Sequence, residues 1–192
     1  MIMQRDKVLT IKRKIKYPRI ELKTGTPVLI LPQDDSFDAV EILDKHRKWF
    51  QQKLEFTEKI KKKYKNQKIY ERSESDLIKL ITNFVSEYAD VLGKKPDKIS
   101  FRYMKTKWAS CSRKNKITFN FMLKYLPPRL IRYTTFHEMA HLLIPNHNKD
   151  FWFLIKREFK NYPHLEEELF GYWFLLSEKL PKNKTINFRQ NT

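Results

Sequence analysis

One motif constrains this chain more than any other feature: two histidines four residues apart, with a glutamate directly after the first. In the stretch TTFHEMAHLLIPNHNKDFW, His137, Glu138 and His141 form HExxH. On an α-helix, residues four apart lie one turn apart on the same face, so both imidazoles can reach one ion. The glutamate projects about 100° around the helix from His137, beside that ion. Chance produces this motif in roughly one of a hundred chains of such composition, so it predicts a metal site.

A third histidine completes the expected donor set. A catalytic zinc ion takes three protein ligands and keeps one coordination position open. His147 follows His141 by six residues, and Pro145 and Asn146 lie between them. We expect Pro145 to stop the helix and Asn146 to adopt the left-handed conformation, which brings the third histidine round. The sequence therefore predicts one Zn²⁺ per chain, with His137, His141 and His147 as its ligands.

Glu138 has a separate role in this interpretation. Zinc lowers the pKa of its water to about 7, and a neighbouring carboxylate can accept the proton. A structural metal site is the first alternative, but it leaves a coordination position open and gives Glu138 no function. Three core histidines with separate hydrogen-bond partners are the second alternative and require three coincidences. The motif favours a zinc-dependent hydrolase in which Glu138 is the general base.

The charge balance points to a further partner. The chain has 40 Lys and Arg against 22 Asp and Glu, a net charge of +18. Such a surface attracts nucleic acid, anionic lipid or acidic substrates. Most of these cations are lysines, which are point charges, and a compositional bias toward Lys, Ile, Asn and Phe can by itself produce the excess. Nucleic acid is thus a candidate partner beside the peptide or protein substrate of a peptidase.

The cysteine content and the lack of long apolar segments bear on the compartment and on membrane association. Cys111 is the single cysteine, so no disulfide can form within the chain, which is typical of a reducing compartment. The basic N-terminal residues carry no apolar segment of the signal-peptide kind. No apolar run approaches the roughly 18 residues of a membrane-spanning helix. We expect a soluble, cytoplasmic protein without a membrane partner.

The N-terminal part, residues 1–70, is predicted to be a strand-rich lobe followed by a basic helix. Residues 7–31 alternate in part and contain the turn signal Gly25–Pro27, which predicts strands. From Ser36 the pattern predicts a helix that ends in the basic run EKIKKKYKNQK. Its predicted capping segment and acidic first turn comprise Asp34, Asp35, Ser36 and Asp38. The predicted apolar face of that helix comprises Phe37, Val40, Leu43, Phe50 and Leu54.

Residues 71–180 are predicted to be an α+β metal-binding catalytic module, and residues 181–192 a polar tail. Ser73 opens a capping box and Gly93 closes the helix that follows. The alternating runs KISFRYMKTKW and KITFNFML, joined by ASCSRKN, predict an antiparallel hairpin. A helix apolar nearly all round carries the HExxH motif, with Pro128 in its first turn, so we expect it to be buried. Two more helices are predicted at about Lys149–Asn161 and His164–Glu178.

Three stretches resemble a known family: MKTKWASCS, ITFNFMLKYLP and HEMAHLLIPNHNKDFW. They are similar to the YgjP-like metallopeptidases, relatives of the SprT-like zincins, and the resemblance covers most of the chain. It implies a zincin-like module with an HExxH active-site helix and an antiparallel hairpin, preceded by a small strand-rich lobe and a connecting helix. It also implies peptidase activity, with the three histidines as zinc ligands and Glu138 as the catalytic base.

The departures from family patterns are small. Ala109 stands where the family usually has glycine, and Met139 where leucine is common; neither touches the chemistry. The histidine spacing also matches the metzincins, but Ile144 replaces their glycine and no Met-turn follows, so a true metzincin is rejected. In zincin-like folds the strand near the active-site helix often pairs with an extended substrate, which makes KTKWASCSRKN a candidate for backbone recognition. Substrate-binding side chains stay unassigned; Tyr103, Tyr133 and Arg102 are weak candidates for an oxyanion-stabilising group.

Two other function classes stay open. The first keeps the metal and changes the substrate to nucleotides or to nucleic-acid-bound proteins. Phosphoryl chemistry usually needs two metals and several carboxylates, and Glu138 is the one acidic residue inside the motif. The second is a basic binding module whose metal is structural. Replacing Glu138 with Gln separates both enzyme readings from the binding module, because only an enzyme loses turnover.

Overall fold

The computed structural model describes residues 8–23, 26–34 and 36–180 and has the mixed α+β architecture predicted from the sequence. The chain divides into two compact units between Lys65 and Asn66. The domain limits at residues 70 and 180 stay a prediction. Gly25 of the predicted turn, Asp35 of the predicted capping segment and the predicted polar tail at 181–192 lie outside the described residues.

The first unit contains the predicted strands. Its central strand, β3 (Thr26–Pro32), is flanked by β1 (Leu9–Arg13), which runs parallel to it, and by β2 (Arg19–Lys23), which runs antiparallel. Leu29 and Leu31 of β3 are buried and form a small core with Leu43 and Phe50.

Two helices, α1 (Ala39–Lys45) and α2 (Arg47–Tyr64), replace the single helix predicted from Ser36. The cap is Asp38, whose carboxylate accepts the Val40 backbone N–H at 2.7 Å. Because the helix begins after Asp38, Phe37 precedes it and Val40 is 44% exposed, so their predicted place on an apolar helix face was wrong. His46 ends α1 and caps α2 with φ −102° and ψ 12°, which interrupts the helix.

The second unit begins with helix α3 (Glu74–Leu92), and both predicted caps are confirmed. The Ser73 hydroxyl accepts the Asp76 backbone N–H at 3.0 Å. Gly93 has φ +66°, a left-handed conformation that glycine adopts without steric cost.

The sheet of this unit corrects one pairing. Its order is β4-β6-β5, with β4 (Lys98–Arg102) parallel to β6 (Lys116–Asn120) and β5 (Ala109–Cys111) antiparallel to β6. An antiparallel hairpin is therefore present, but it joins β5 to β6. The prediction that KISFRYM runs antiparallel to KITFNFM was wrong, because residues 103–108 return the chain to the far edge of β6 before β5 begins. The alternation of apolar residues is the same for either direction.

The helix that carries the HExxH motif lies at the centre of the second unit. This helix, α4 (Pro128–Ala140), is buried along most of its length and packs against α3, β5 and two later helices. The predicted burial and the place of Pro128 in its first turn are confirmed. A 3-10 helix (Phe121–Tyr125) precedes it, and α5 (Lys149–Glu158) and α6 (Tyr162–Lys179) follow.

The end of α4 differs from the prediction in mechanism. Leu142 and Leu143 donate backbone N–H groups to Met139 and Ala140, three residues back, so the helix tightens and ends well before Pro145. Asn115 alone among the described non-glycine residues has a positive φ. The predicted left-handed conformation of Asn146 was therefore wrong. No helix of the described part of the chain is long and apolar enough to span a membrane.

Candidate metal centre

The three predicted metal ligands lie together. One ring nitrogen from each of His137, His141 and His147 falls within 4.8 Å of the others. The first two come from the last turn of α4 and its C-cap, and the third comes from the connection to α5. The ring centroids are 5.1, 5.0 and 4.6 Å apart. The local turn and the packing of α5 thus bring His147 to the helix without the conformation expected of Asn146.

The outer ring nitrogens have acceptor partners. His141 Nδ1 lies 3.1 Å from the Ile144 carbonyl oxygen, and His137 Nδ1 lies 3.6 Å from a Glu166 carboxylate oxygen. A carbonyl oxygen only accepts, so the His141 ring carries its proton on Nδ1, and the longer carboxylate contact of His137 favours the same tautomer. The Nε2 lone pair of His141 is then available to a metal, and the favoured tautomer leaves that of His137 available as well.

The donor set fits one transition-metal ion. His137 Nε2 and His147 Nε2 are 2.9 Å apart. Two imidazole nitrogens about 2.0–2.1 Å from a tetrahedral ion are separated by about 3.3 Å, so a movement of about 0.4 Å accommodates it. Three imidazoles on one side of an ion leave a fourth position open, as in a catalytic zinc site.

Burial keeps two of the rings neutral. Desolvation lowers the pKa of His141 to about 4, and it also lowers the pKa of His147. A metal binds the deprotonated imidazole, so these rings need lose no proton to an ion at neutral pH.

Aromatic residues at the start of α5 support the histidines. Phe151 is fully buried and stacks on the His141 ring with a centroid distance of 4.5 Å and an interplanar angle of 23°. Trp152 stacks on the His147 ring with a centroid distance of 5.5 Å and an interplanar angle of 25°. Tyr162 stacks in turn on Trp152, at 5.0 Å and 20°. The otherwise exposed third histidine is therefore held by a column of rings.

Glu138 is buried beside the histidines, with 7% of its surface exposed. Burial raises its pKa to about 7, while His137, the Cys111 backbone N–H and Lys107 all act to lower that pKa. Its carboxyl group lines the same cleft as the three rings. The structure thus places the predicted base next to the predicted metal ligands.

The cleft has a volume of about 630 Å³ and one wall made by β5. Trp108, just before this strand, lines the cleft, and its indole N–H donates to the Leu169 carbonyl at 3.3 Å. Burial and the nearby Glu138 raise the pKa of the Cys111 thiol to about 11, which favours the protonated, unreactive thiol. Of the three oxyanion candidates, Tyr133 lines the cleft, whereas Tyr103 donates to Glu74 at 2.7 Å.

Glu166 was missed at the level of sequence. It lies in the first half of α6, lines the cleft and accepts a hydrogen bond from the Tyr133 hydroxyl. Burial acts to raise the pKa of Glu166, but His137 and Tyr133 outweigh it and the pKa is lowered. The available signal was three successive carboxylates in an otherwise apolar helix, HLEEELFGYW, but spacing alone does not show which of them faces α4.

Comparison with known proteins identifies the family. The model of the YgjP-like metallopeptidase domain matches residues 44–171, two thirds of the chain. The chain belongs to the YgjP-like metallopeptidase family. Membership implies a metal-dependent peptidase, and the three histidines are the described residues that could hold the metal.

Other comparisons add less. No curated protein matches this YgjP-like chain. It is similar to the crystal structure of the metallopeptidase zymogen of Pyrococcus abyssi abylysin, with 20% sequence identity and a TM-score of 0.44 over 52% of this chain and 94% of that one.

Proposed function

We propose that this chain is a zinc-dependent peptidase that binds one zinc ion through His137, His141 and His147 and uses Glu138 as its general base. One observation carries the proposal: three histidine rings converge in a cleft that also contains a buried glutamate. Family membership supports a metallopeptidase. A set of three imidazoles supports zinc as the metal, because oxygen-preferring ions such as Mg²⁺ favour carboxylates.

The residues of the chain divide the chemistry between them. Zinc, when bound, polarises the substrate carbonyl and lowers the pKa of the attacking water. Glu138 accepts a proton from that water as its oxygen bonds to the carbonyl carbon. The same carboxyl group then gives the proton to the leaving amine as the C–N bond breaks. Its position in α4, directly after His137, keeps the carboxyl beside the ligands throughout.

The substrate mode proposed here is backbone pairing along β5. Within the described residues this strand is at the edge of its sheet and pairs with β6 on one side. Ala109, Ser110 and Cys111 all line the cleft that contains the histidines. An extended peptide added to the free edge gains main-chain hydrogen bonds that tolerate many side chains.

The metal assignment is tested first. Zinc content is measured by mass spectrometry on protein purified without chelator or affinity metal, and again after zinc is added back. About one zinc per chain is expected, and the His147→Ala variant should lose it or bind it much more weakly. His164→Ala is the matched control, because His164 is exposed and does not line the cleft. Absence of stoichiometric zinc in the unaltered chain would refute the zinc site.

Turnover is tested second, with a mixture of unstructured peptides and product detection by mass spectrometry. Glu138→Gln should retain zinc and lose cleavage, which also excludes a contaminating protease as the source. If the unaltered chain and Glu138→Gln both retain zinc and cleave equally, or if neither cleaves, the result would favour the alternative of a basic binding module with a structural metal.

A nucleic-acid partner stays a prediction from the net charge of +18. Binding to a labelled duplex and a labelled single strand, measured between 50 and 300 mM salt, tests it. Specific recruitment through phosphates predicts a steep loss of affinity with salt. Peptide cleavage stimulated by nucleic acid would further favour substrates bound to nucleic acid.

A further inference from the structure

A carboxylate from α6 meets two residues that lie one turn apart on α4. Glu166 Oε1 accepts a hydrogen bond from the Tyr133 hydroxyl and also lies 3.6 Å from His137 Nδ1. Tyr133 and His137 are four residues apart and share a helix face. One oxygen therefore contacts both a fully buried tyrosine and a predicted metal ligand.

The geometry separates this carboxylate from the ligands themselves. His137 Nε2 faces His147 Nε2 at 2.9 Å, so Glu166 contacts the opposite nitrogen of the same ring. Among the described residues, the three histidines form a group whose ligand atoms all lie within 4.8 Å of one another. Glu166 is not part of that group. Its contact with Nδ1 is slightly longer than a hydrogen bond, and such contacts in active sites often tighten when the site is complete.

The three histidines differ in how their rings are held. His141 has a backbone carbonyl at Nδ1, His147 has an aromatic stack, and His137 alone has a carboxylate. A carboxylate that accepts the outer N–H of a ligating histidine fixes its tautomer and orientation and increases the basicity of the coordinating nitrogen. The hydroxyl of Tyr133 in turn restricts the rotation of Glu166.

We propose that Glu166 is a positioning residue that accepts the Nδ1 proton of His137 and directs Nε2 into the metal site, with Tyr133 holding the carboxylate in place. The proposal rests on the metal site of the proposed function and extends it from the ligands to the residue that orients one of them. It assigns to α6 a role in metal affinity that none of the sequence motifs indicates.

The test compares zinc affinity with the stability of the zinc-free protein. Zinc dissociation constants are measured by competition with a chromophoric chelator, and unfolding of EDTA-treated protein is followed in the same buffer. Glu166→Ala should weaken zinc binding about 10- to 100-fold. Glu166→Gln, whose amide oxygen still accepts from Nδ1, should weaken it less, and Tyr133→Phe less again. Glu178→Gln, an exposed position on the same helix, is the matched control and should bind like the unaltered chain.

A positioning role also predicts a tautomer change that a packing role does not. In zinc-free protein, ¹⁵N NMR of the histidine side chains should show His137 protonated on Nδ1, and Glu166→Ala should lose that preference while the unfolding midpoint stays within a few degrees. Unchanged zinc affinity in Glu166→Ala would overturn the proposal. A loss as complete as that of His147→Ala would make Glu166 a ligand and also overturn it. If the unaltered chain binds no zinc, the proposed function itself fails, and the two failures are distinguished.

Discussion

Asn120, at the end of β6, is expected to stabilise the cleft wall far more than a single polar side chain usually does. It is fully buried, and its side-chain amide donates to the carbonyls of Met104 and Lys107 at 2.9 and 2.7 Å. Its amide oxygen accepts the Met122 backbone N–H at 3.1 Å. The side chain therefore ties the β4–β5 connection to the turn after β6. That connection leads directly to Trp108 and β5, which line the cleft.

Replacing Asn120 with Ala removes three hydrogen bonds at once. At about 1 kcal/mol each, the free energy of unfolding should fall by about 3 kcal/mol. For a unit of this size the melting temperature should fall by about 10–15 °C. Urea unfolding followed by tryptophan fluorescence measures the loss, and the zinc content and kcat/KM of the variant show whether the cleft wall has moved. We expect zinc to be retained and kcat/KM to decrease.

Ser100→Ala is the matched control in the same sheet. Its hydroxyl makes one partly buried hydrogen bond, to Thr118 at 2.9 Å, so we expect a loss of about 1 kcal/mol. If Asn120→Ala costs no more than Ser100→Ala, the three bonds are not cooperating to hold the connection and the reasoning is refuted. An altered slope of the urea transition would instead show that the unfolded or native state has changed its compactness.

Three further predictions follow from single contacts. Arg129→Met should lower the free energy of unfolding in urea by about 3 kcal/mol, and Glu168→Leu should lower it by clearly less. The glutamate side chain is 3% exposed and its arginine partner 55%, so only the loss of the arginine leaves a buried charge unpaired; equal losses would contradict this. Gly93→Ala should lower the free energy of unfolding by about 1 kcal/mol, and Gly93→Asn should lower it by less. A Cβ at this position meets nothing within 4 Å, so the cost comes from the left-handed backbone alone, and an Ala variant as stable as the unaltered chain would contradict this. Trp152→Leu should weaken zinc binding about three- to tenfold in chelator competition by removing the ring stacked on His147, and unchanged affinity would show that the stack does not hold the ligand.

Features that depend on neighbours along the chain were accessible from the sequence. The capping box at Ser73, the left-handed end at Gly93 and the one-turn spacing of His137 and His141 are properties of a single helix. Their geometry follows from 3.6 residues per turn and from the conformational freedom of glycine. Local rules did not choose between neighbouring candidates for a helix cap: of Asp34, Ser36 and Asp38, the structure uses Asp38 to cap α1.

Strand direction and the partner of each carboxylate were decided only by the tertiary structure. Alternation of period two is identical in parallel and antiparallel strands, so it did not show that β4 and β6 run parallel. The sequence also presents Glu166, Glu167 and Glu168 as equivalent. The packing of α6 against α4 separates them: two residues turn a helix by about 200°, so Glu166 reaches Tyr133 and His137 while Glu168 pairs with Arg129. Contacts between residues about thirty or more positions apart depend on how two whole elements are rotated against each other. That rotation cannot be read from the residue spacing within either element.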